Sequence, residues 1–407
     1  MLSLQAQSYL ISFVGTGGST SVASVKVENL TKGTNLALNG SDILRLDLTV
    51  GIEPVIDNIK DKIRFSPNPM IDFSKMQFDL PETGETIITL YDVSGKELVQ
   101  TQDMLSKGQH FYSIQGVETG IYFVRISSGK YSLSGRLISS GSKNNPARIV
   151  YENTIALQEK HSESKGTNAE VAMQYTVGDR LKFTGTSGIY STVITDIPTL
   201  SKTITFNFIN CTDGDNFNYP VVGIGTQVWM AENLKTTTYR NGVSIGTTIP
   251  YNKEIAGEIA PAYQWAYAGN ESNVATYGRL YTWFAVTDIR NVCPTGWRLP
   301  NDNDWTTLTN YLGGVNIAGG KLKEAGITHW TTPNAGATNE TGFTALPGGL
   351  RSYNGAYTFV GSNGFWWSSS EYSSTNALDR DMDYRFIGFF WNYNLKSYGF
   401  SVRCLRD

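Results

Sequence analysis

The residue types that perform acid–base or nucleophilic catalysis are sparse in this chain. Its three histidines, His110, His161 and His329, lie in different sequence contexts, and none has an evident partner that would orient its imidazole as a base. We expect a solvated loop for His161 and a loop or packing role for His329. The sequence therefore predicts no enzymatic activity and implies no cofactor.

A short acidic run, Asp213-Gly214-Asp215-Asn216, offers oxygen ligands for a cation. A calcium-binding loop counted from Asp213 would need glycine at its sixth position and glutamate at its twelfth. Asn218 occupies the sixth position, and no glutamate stands at the twelfth. The separations between the three cysteines match no zinc-binding spacing. We therefore predict a polar turn at this run and no metal site.

The most distinctive stretch of the chain is residues 377–400, ALDRDMDYRFIGFFWNYNLKSYGF, in which eight of 24 residues are aromatic. In an extended strand its odd-numbered charged residues share one face: Asp379, Asp381, Asp383 and Arg385. Three carboxylates are poor core material, so this face should lie in water. Its charge predicts a preference for a basic or polar patch on a partner.

Downstream of the acidic run, apolar side chains are interspersed with glycine and asparagine in what we expect to be a loop. They are Phe386, Ile387, Phe389, Tyr393, Leu395 and Tyr398. Apolar side chains exposed in this way are typical of a surface that binds a partner. Tyrosine and phenylalanine supply contact area with few rotatable bonds, and asparagine and glycine supply adaptability, as in antibody paratopes.

Composition restricts the class of protein that carries this stretch. The chain has 407 residues, enough for two or three domains, and its net charge of −3 argues against a nucleic-acid-binding protein. Few charged residues (17%) and many glycines (41) favour β-rich structure. The sequence contains no run of about 20 apolar residues, the length that a membrane-spanning helix needs. Residues 1–7, MLSLQAQ, resemble the end of a signal peptide cleaved near Ala6, or form an ordinary frayed terminus.

The amino-acid composition changes along the chain, since all nine tryptophans lie at Trp229 or later. Residues 8–208 contain repeated short runs in which Val, Ile, Thr, Tyr and Phe alternate with polar residues, a pattern that predicts β-sandwich strands. Later residues read as short strands and long loops, with helices expected at about 278–288 and 302–312. In the second helix Asn301 or Asp302 can cap, and one face carries Trp305, Leu308 and Leu312.

Residues Phe65 to Ile138 form a closed unit within the first region. It opens with Ser66-Pro67-Asn68-Pro69, has a turn at Asp92-Val93-Ser94-Gly95-Lys96 and ends with Gly120-Ile121-Tyr122-Phe123-Val124. This order resembles the sorting domain of the type IX secretion system of Bacteroidetes, which implies export. We expect residues 56–140 to be a β-sandwich inserted into another one, formed by residues 1–55 with 141–208.

The region from Cys211 contains several motifs in order, among them Cys293-Pro294-Thr295-Gly296-Trp297-Arg298-Leu299-Pro300, Trp366-Trp367-Ser368-Ser369-Ser370 and Ser401-Val402-Arg403-Cys404. Together they resemble the Fibrobacter succinogenes major paralogous domain family. The resemblance implies an α+β, C-type-lectin-like domain over residues 209–407, related to the formylglycine-generating enzyme. Oxidase chemistry on that scaffold needs free thiols close together. We favour instead a structural disulfide between Cys293 and Cys404, although spacing alone does not set the pairing.

The terminal stretch also resembles the variable region of proteins diversified by retroelements, in which adenines of a template repeat are randomised. An AAC codon can then become most amino acids, but not Met, Trp, Lys, Glu or Gln. The candidate ligand-binding residues are all reachable from such a codon: Leu378, Asp379, Asp381, Asp383, Arg385, Phe386, Ile387, Phe389, Tyr393, Leu395 and Tyr398. By the same criterion Met382, Trp391 and Lys396 belong to the scaffold, and Asn392 and Asn394 are unmutated positions. An ordinary irregular lectin-like loop is the alternative.

These patterns predict a mainly β, multidomain, exported protein. Its N-terminal sandwiches precede a C-terminal lectin-like domain whose terminal face binds a protein or a cell-surface glycan. Two alternatives stay open: a structural or adhesion component of the cell surface, and an oxidase-like enzyme. Neither nucleic acid nor a membrane-spanning segment is expected, and the sequence leaves the oligomeric state open.

Overall fold

A computed structural model describes residues 8–48, 63–80, 82–105, 108–129, 131–141, 146–151 and 169–407. The predicted leader remnant (1–7) and the polar loop with His161 lie outside the described residues. Strands predominate and helices are few and short, so the protein is mainly β and multidomain, as the sequence predicted. None of the helices in these ranges is both long and apolar enough to cross a membrane.

Four strands open the described chain. They are β1 (Ser8–Gly17), β2 (Ser24–Asn29), β3 (Thr34–Asn39) and β4 (Ile43–Leu48). Their side chains alternate between buried and exposed as the period-two pattern predicted; in β2, for example, Val25 and Val27 are buried and Lys26 between them is exposed.

The inserted segment folds around its own core. Its strands are β5 (Arg64–Ser66), β6 (Phe73–Leu80), β7 (Gly84–Asp92), β8 (Glu97–Leu105), β9 (Gly108–Gln115), β10 (Gly120–Ser128), β11 (Tyr131–Ser139) and β12 (Arg148–Tyr151). They form two four-stranded sheets, β11-β10-β7-β8 and β12-β9-β6-β5. The predicted turn is present, since Asp92 Oδ1 accepts the amides of Ser94 (2.8 Å) and Lys96 (3.1 Å).

The expected end of the insertion at residue 140 is wrong. Strand β12 pairs with β9 through Arg148 and Gln115, so residues up to Tyr151 belong to the inserted sandwich and not to the flanking one. The described residues between 63 and 151 form one compact unit, and residues 8–48 with 169–407 form another. Sequence reasoning ended the unit too early because β12 is a short edge strand without a strong alternating pattern.

The chain that follows the insertion completes the first sandwich. It adds β13 (Glu170–Tyr175), β14 (Leu181–Ser187), β15 (Tyr190–Asp196) and β16 (Lys202–Phe208). Strand β13 pairs in parallel with β4, and β16 in parallel with β1, giving the sheet β13-β4-β1-β16. Strand β14 pairs with β2 in the opposite sheet.

That opposite sheet continues beyond the sandwich. Strand β15 pairs in parallel with β17 (Val221–Ile224), which is followed by β18 (Gln227–Met230). With later strands they form one eight-stranded sheet. The expected boundary between residues 208 and 209 therefore crosses a continuous hydrogen-bonded sheet, and residues 209–407 do not form a separate compact unit.

The remaining elements are short and build the C-terminal region. In chain order they are β19 (Gln264–Trp265), α1 (Val274–Tyr277), β20 (Leu280–Tyr281), α2 (Trp283–Val286), β21 (Trp297–Arg298), α3 (Asp302–Tyr311), α4 (Val315–Leu322), β22 (Gly348–Arg351), β23 (Tyr357–Val360), β24 (Asn363–Glu371), β25 (Asn376–Asp383), β26 (Phe390–Leu395) and β27 (Leu405–Arg406). Strands β27 and β21 end the eight-stranded sheet, and a second sheet has the order β23-β22-β24-β25-β26.

The predicted helix near residue 302 is present as α3. Asn301 caps it, with its side chain accepting the amide of Asp304 at 3.0 Å, and Trp305 and Leu308 are buried. The helix predicted at 278–288 shrinks to α2, because Leu280 and Tyr281 pair as a strand with β19. Helix α4, which contains two consecutive glycines, was not predicted.

A disulfide joins Cys293 and Cys404, the pairing that we favoured, and lies in the core of the C-terminal region. All three cysteines are in the described chain, so Cys211 is the one free thiol. It is buried, and burial raises its pKa well above the ordinary value.

Candidate functional site

The candidate ligand-binding residues lie on one β-hairpin at the edge of the second sheet. Strand β25 pairs on one side with β24 and on the other with β26, and a loop of residues 384–389 joins β25 to β26. No other strand of the described ranges pairs with β26, which leaves it as an edge strand. We call the two strands and their loop the terminal hairpin.

The acidic face of β25 is not uniformly wet, which corrects the prediction. Asp379 is 0% exposed, because β25 is an interior strand with Trp367 opposite on β24 and Asn392 opposite on β26. One carboxylate oxygen accepts from Asn394 Nδ2 at 2.9 Å, and the other has no hydrogen-bond partner among the described residues. Burial raises the pKa of Asp379 to about 7. Asp379 is therefore not available to a ligand.

Exposure increases along the same face toward the loop. Asp381 is half-buried, and its burial together with the nearby carboxylate of Asp383 raises its pKa to about 6. Asp383 has a lowered pKa, since it accepts hydrogen bonds from the exposed guanidinium of Arg385, 2.8 Å away. Only the end of this row, at Arg385, is fully at the surface.

The opposite face of β25 is scaffold. Arg380 is buried and pairs with Asp302 at the start of α3. Met382 is buried in the core beside Trp366 and Trp305, in agreement with its expected role. This face packs against α3, and its side chains cannot change freely.

Phe389 is a core residue, which corrects its assignment as a ligand contact. Its ring is fully buried and makes edge-to-face contacts with Trp305 and Trp366, at centroid distances of 5.5 and 6.0 Å. Phe386 and Ile387, three and two residues earlier, are exposed as predicted. Composition could not separate the three, because all are apolar residues beside one glycine.

Strand β26 presents an aromatic surface. Trp391 (56% exposed), Tyr393 (46% exposed) and Leu395 alternate onto one side, and Tyr372 stacks on Tyr393 with centroids 4.2 Å apart. Trp391 was assigned to the scaffold, and its exposure corrects that assignment. Sequence reasoning missed the exposed Phe390, since it took these residues as loop; the alternation in FWNYNL is the signal that could have shown a strand.

The remaining candidates are intermediate. Leu378, opposite Tyr393, and Tyr398, which stacks on Tyr353, are both half-buried. Lys396 is buried, pairs with Glu371 and lies 4.5 Å from the ring of Trp283, in agreement with a scaffold role. We use the term hairpin surface for the exposed set that remains: Tyr372, Arg385, Phe386, Ile387, Phe390, Trp391, Asn392, Tyr393 and Leu395.

Two of the three histidines, His110 and His329, lie in the described part of the chain. His329 is paired with Glu324, its Nδ1 2.9 Å from both carboxylate oxygens, and His110 packs on Phe78 in the inserted sandwich. The chain contains a Gly-x-Ser-x-Gly run at residues 242–246, and our expectation that it has none was wrong. It is not the strand-to-helix turn of a nucleophile elbow, because Ser244 forms an isolated bridge with Thr238.

The acidic run near residue 213 is the polar turn that the sequence predicted. Asp213 accepts hydrogen bonds from the amides of Asp215 and Phe217 and from the hydroxyl of Tyr219. Within the described ranges no group of three or more His, Cys, Asp or Glu side chains is arranged to hold a metal ion.

Comparison with known proteins confirms two of the resemblances. Residues 222–406 match the family model of the Fibrobacter succinogenes major domain, and this range contains the whole terminal hairpin. Residues 65–140 match the secretion system C-terminal sorting domain, within the inserted sandwich. No curated protein matches the chain. The sorting domain indicates export and attachment to the cell surface.

Proposed function

We propose that this exported surface protein binds a protein or glycan target through the hairpin surface, on a C-type-lectin-like scaffold, and that a retroelement diversifies this surface. The observation that carries the proposal is the partition of the terminal hairpin. Its aromatic and aliphatic side chains are exposed on one edge strand and one loop, while Arg380, Met382 and Phe389 are buried against the scaffold.

Several large apolar side chains in water are costly for a protein with no partner, and they supply binding energy when a partner covers them. Trp391 and Tyr393 are side chains of the type that dominates protein interfaces, and the stacked ring of Tyr372 restricts Tyr393 before binding. Arg385, paired with Asp383, adds a polar contact at the loop.

Burial narrows the set of positions that diversification can use. Of the candidate ligand-binding residues, Arg385, Phe386, Ile387, Tyr393 and Leu395 are exposed and can vary without disturbing the core. Trp391, which an AAC codon cannot produce, would be a constant aromatic contact within the variable surface. Asp379 and Phe389 are removed from the candidate binding residues.

The binding proposal is tested with the 407-residue protein on arrays of extracellular proteins and of surface glycans. We expect a bound target, and we expect the triple variant F386S/W391S/Y393S to lose that signal by at least about tenfold. A matched control replaces exposed apolar residues elsewhere in the same region, Ile249, Ile259 (98% exposed) and Ile289 (96% exposed), with serine. Binding unchanged in the hairpin variant, or lost equally in the control, would contradict the proposal.

The same variants address the structural alternative. If the hairpin surface were covered by a neighbouring copy in a cell-surface assembly, sedimentation would show an oligomer that dissociates on dilution and in the F386S/W391S/Y393S variant. The binding proposal predicts an identical sedimentation coefficient for the wild type and this variant.

A further inference from the structure

Lys323, directly after α4, is a fully buried lysine whose charge faces the loop of the terminal hairpin. Its Nζ donates to three backbone carbonyl oxygens: those of Ala335 (3.0 Å), Asp383 (3.3 Å) and Phe386 (2.9 Å). An ammonium group has three N–H donors, so all of them are used on main-chain acceptors. The ring of Trp330 lies 5.3 Å from the nitrogen.

A buried charge needs such compensation. Removal from water disfavours the ammonium form and lowers the pKa of Lys323 to about 8. A methionine of similar length would avoid that cost but would leave the carbonyl oxygens of Ala335 and Phe386 without their donor, while that of Asp383 would keep the amide of Phe386 at 3.3 Å. The lysine is therefore suited to hold the start of the loop, at residue 383, and its middle, at residue 386, to the segment at residue 335.

The rest of the loop is also held by its main chain. The amide of Ala335 donates to the carbonyl of Tyr384, and the amide of Gly320 donates to the carbonyl of Ile387, both at 2.8 Å. The amide of Phe389 donates to the carbonyl of Val315, also at 2.8 Å. None of these bonds uses a side chain at positions 385–387.

We propose that Lys323 is a positioning residue that fixes the main chain of the hairpin loop, residues 384–389, whatever side chains the loop carries at positions 385–387. A carbonyl oxygen is present in every amino acid, so an anchor that binds carbonyls does not depend on the sequence it holds. The value of this anchor for display rests on the proposed function, but the anchoring itself is a property of the free protein.

Amide hydrogen exchange tests the anchor without any ligand. In K323M we expect the amides of Ala335, Gly320 and Phe389, which bond across the loop, to exchange at least about tenfold faster than in the wild type. The amide of Trp366, in the neighbouring β24, should be unchanged and shows that the fold is intact. The control is K321M, because Lys321 lies at the end of the same helix but is partly exposed and paired with Glu340.

A second variant keeps Lys323 and so does not depend on the folding of K323M. In R385S/F386S/I387S the same three amides should exchange as slowly as in the wild type. Faster exchange in this triple variant, or no acceleration in K323M, would overturn the proposal. Because no ligand is present, a failure of the binding experiment leaves these rates unaffected, and the two proposals can fail separately.

Discussion

Asp379 illustrates how one carboxyl can be part of an acidic row and still belong to the interior. Its pKa of about 7 lies well above the unfolded value near 4, so between these limits the native state binds the proton that the unfolded state has lost. The free energy of unfolding therefore decreases as pH rises from about 4 to 7. Asp383 behaves in the opposite way, since Arg385 lowers its pKa.

We predict that the substitution D379N removes the destabilisation that the buried Asp379 carboxylate causes at higher pH. Asparagine resembles the protonated acid, so the variant should match the wild type near pH 4 and be more stable by about 2–4 kcal/mol at pH 8. Denaturant titrations of both proteins over this range measure the difference.

D383N is the matched control, with the opposite expected sign: it should lose stability at pH 7 relative to the wild type and approach it as pH falls below about 4. If the free energy of unfolding of D379N changed with pH in the same way as that of the wild type, the assigned burial of the carboxylate would be contradicted.

At the scale of elements, period-two alternation predicted strands and their faces but not how many neighbours each strand has. Asp379 was expected in water because alternation cannot tell an interior strand from an edge. Trp391 was assigned to the scaffold by a codon argument, which restricts variation and not burial. Trp305 and Leu308 were assigned correctly, because a capped helix with one apolar stripe determines its buried face locally.

The close packing of helix α4 against the hairpin loop predicts how the substitution G319A affects stability. Helix propensity favours alanine over glycine by up to about 1 kcal/mol, yet a Cβ at Gly319 would overlap the carbonyl oxygen of Gly388 in the loop. G319A should therefore lower the melting temperature and shift the NMR signals of residues 386–389. N316A, at an exposed position of the same helix, should be neutral or slightly stabilising. A stabilised G319A with an unchanged loop would show that α4 does not pack this closely.

At the scale of the molecule, one sheet extends from the first sandwich into the C-terminal region, so we expect residues 8–48 and 169–407 to unfold together. The inserted sandwich has a core of its own. Sequence reasoning found the insertion, because a closed strand unit interrupts another one, but it could not see that β15 pairs with β17.

Tryptophan fluorescence reports on unfolding of the C-terminal region alone, since every tryptophan lies at residue 229 or later. F183A, in the core of the first sandwich, should lower the midpoint of the fluorescence-detected transition, because a buried phenylalanine contributes about 3–5 kcal/mol. V124A, in the core of the insertion, should leave that midpoint in place. A fluorescence midpoint that is the same in F183A as in the wild type would indicate that the C-terminal region unfolds independently of the sandwich.

Sequencing the DNA around the coding region tests the proposal that a retroelement diversifies the hairpin surface for binding. We expect a reverse-transcriptase gene and a near-copy repeat with AAC at the codons for Arg385, Phe386, Ile387, Tyr393 and Leu395. We expect no AAC at the codons for the buried Arg380, Met382 and Phe389. A locus without the gene and the repeat, or a repeat whose AAC codons fall equally on buried positions, would contradict it.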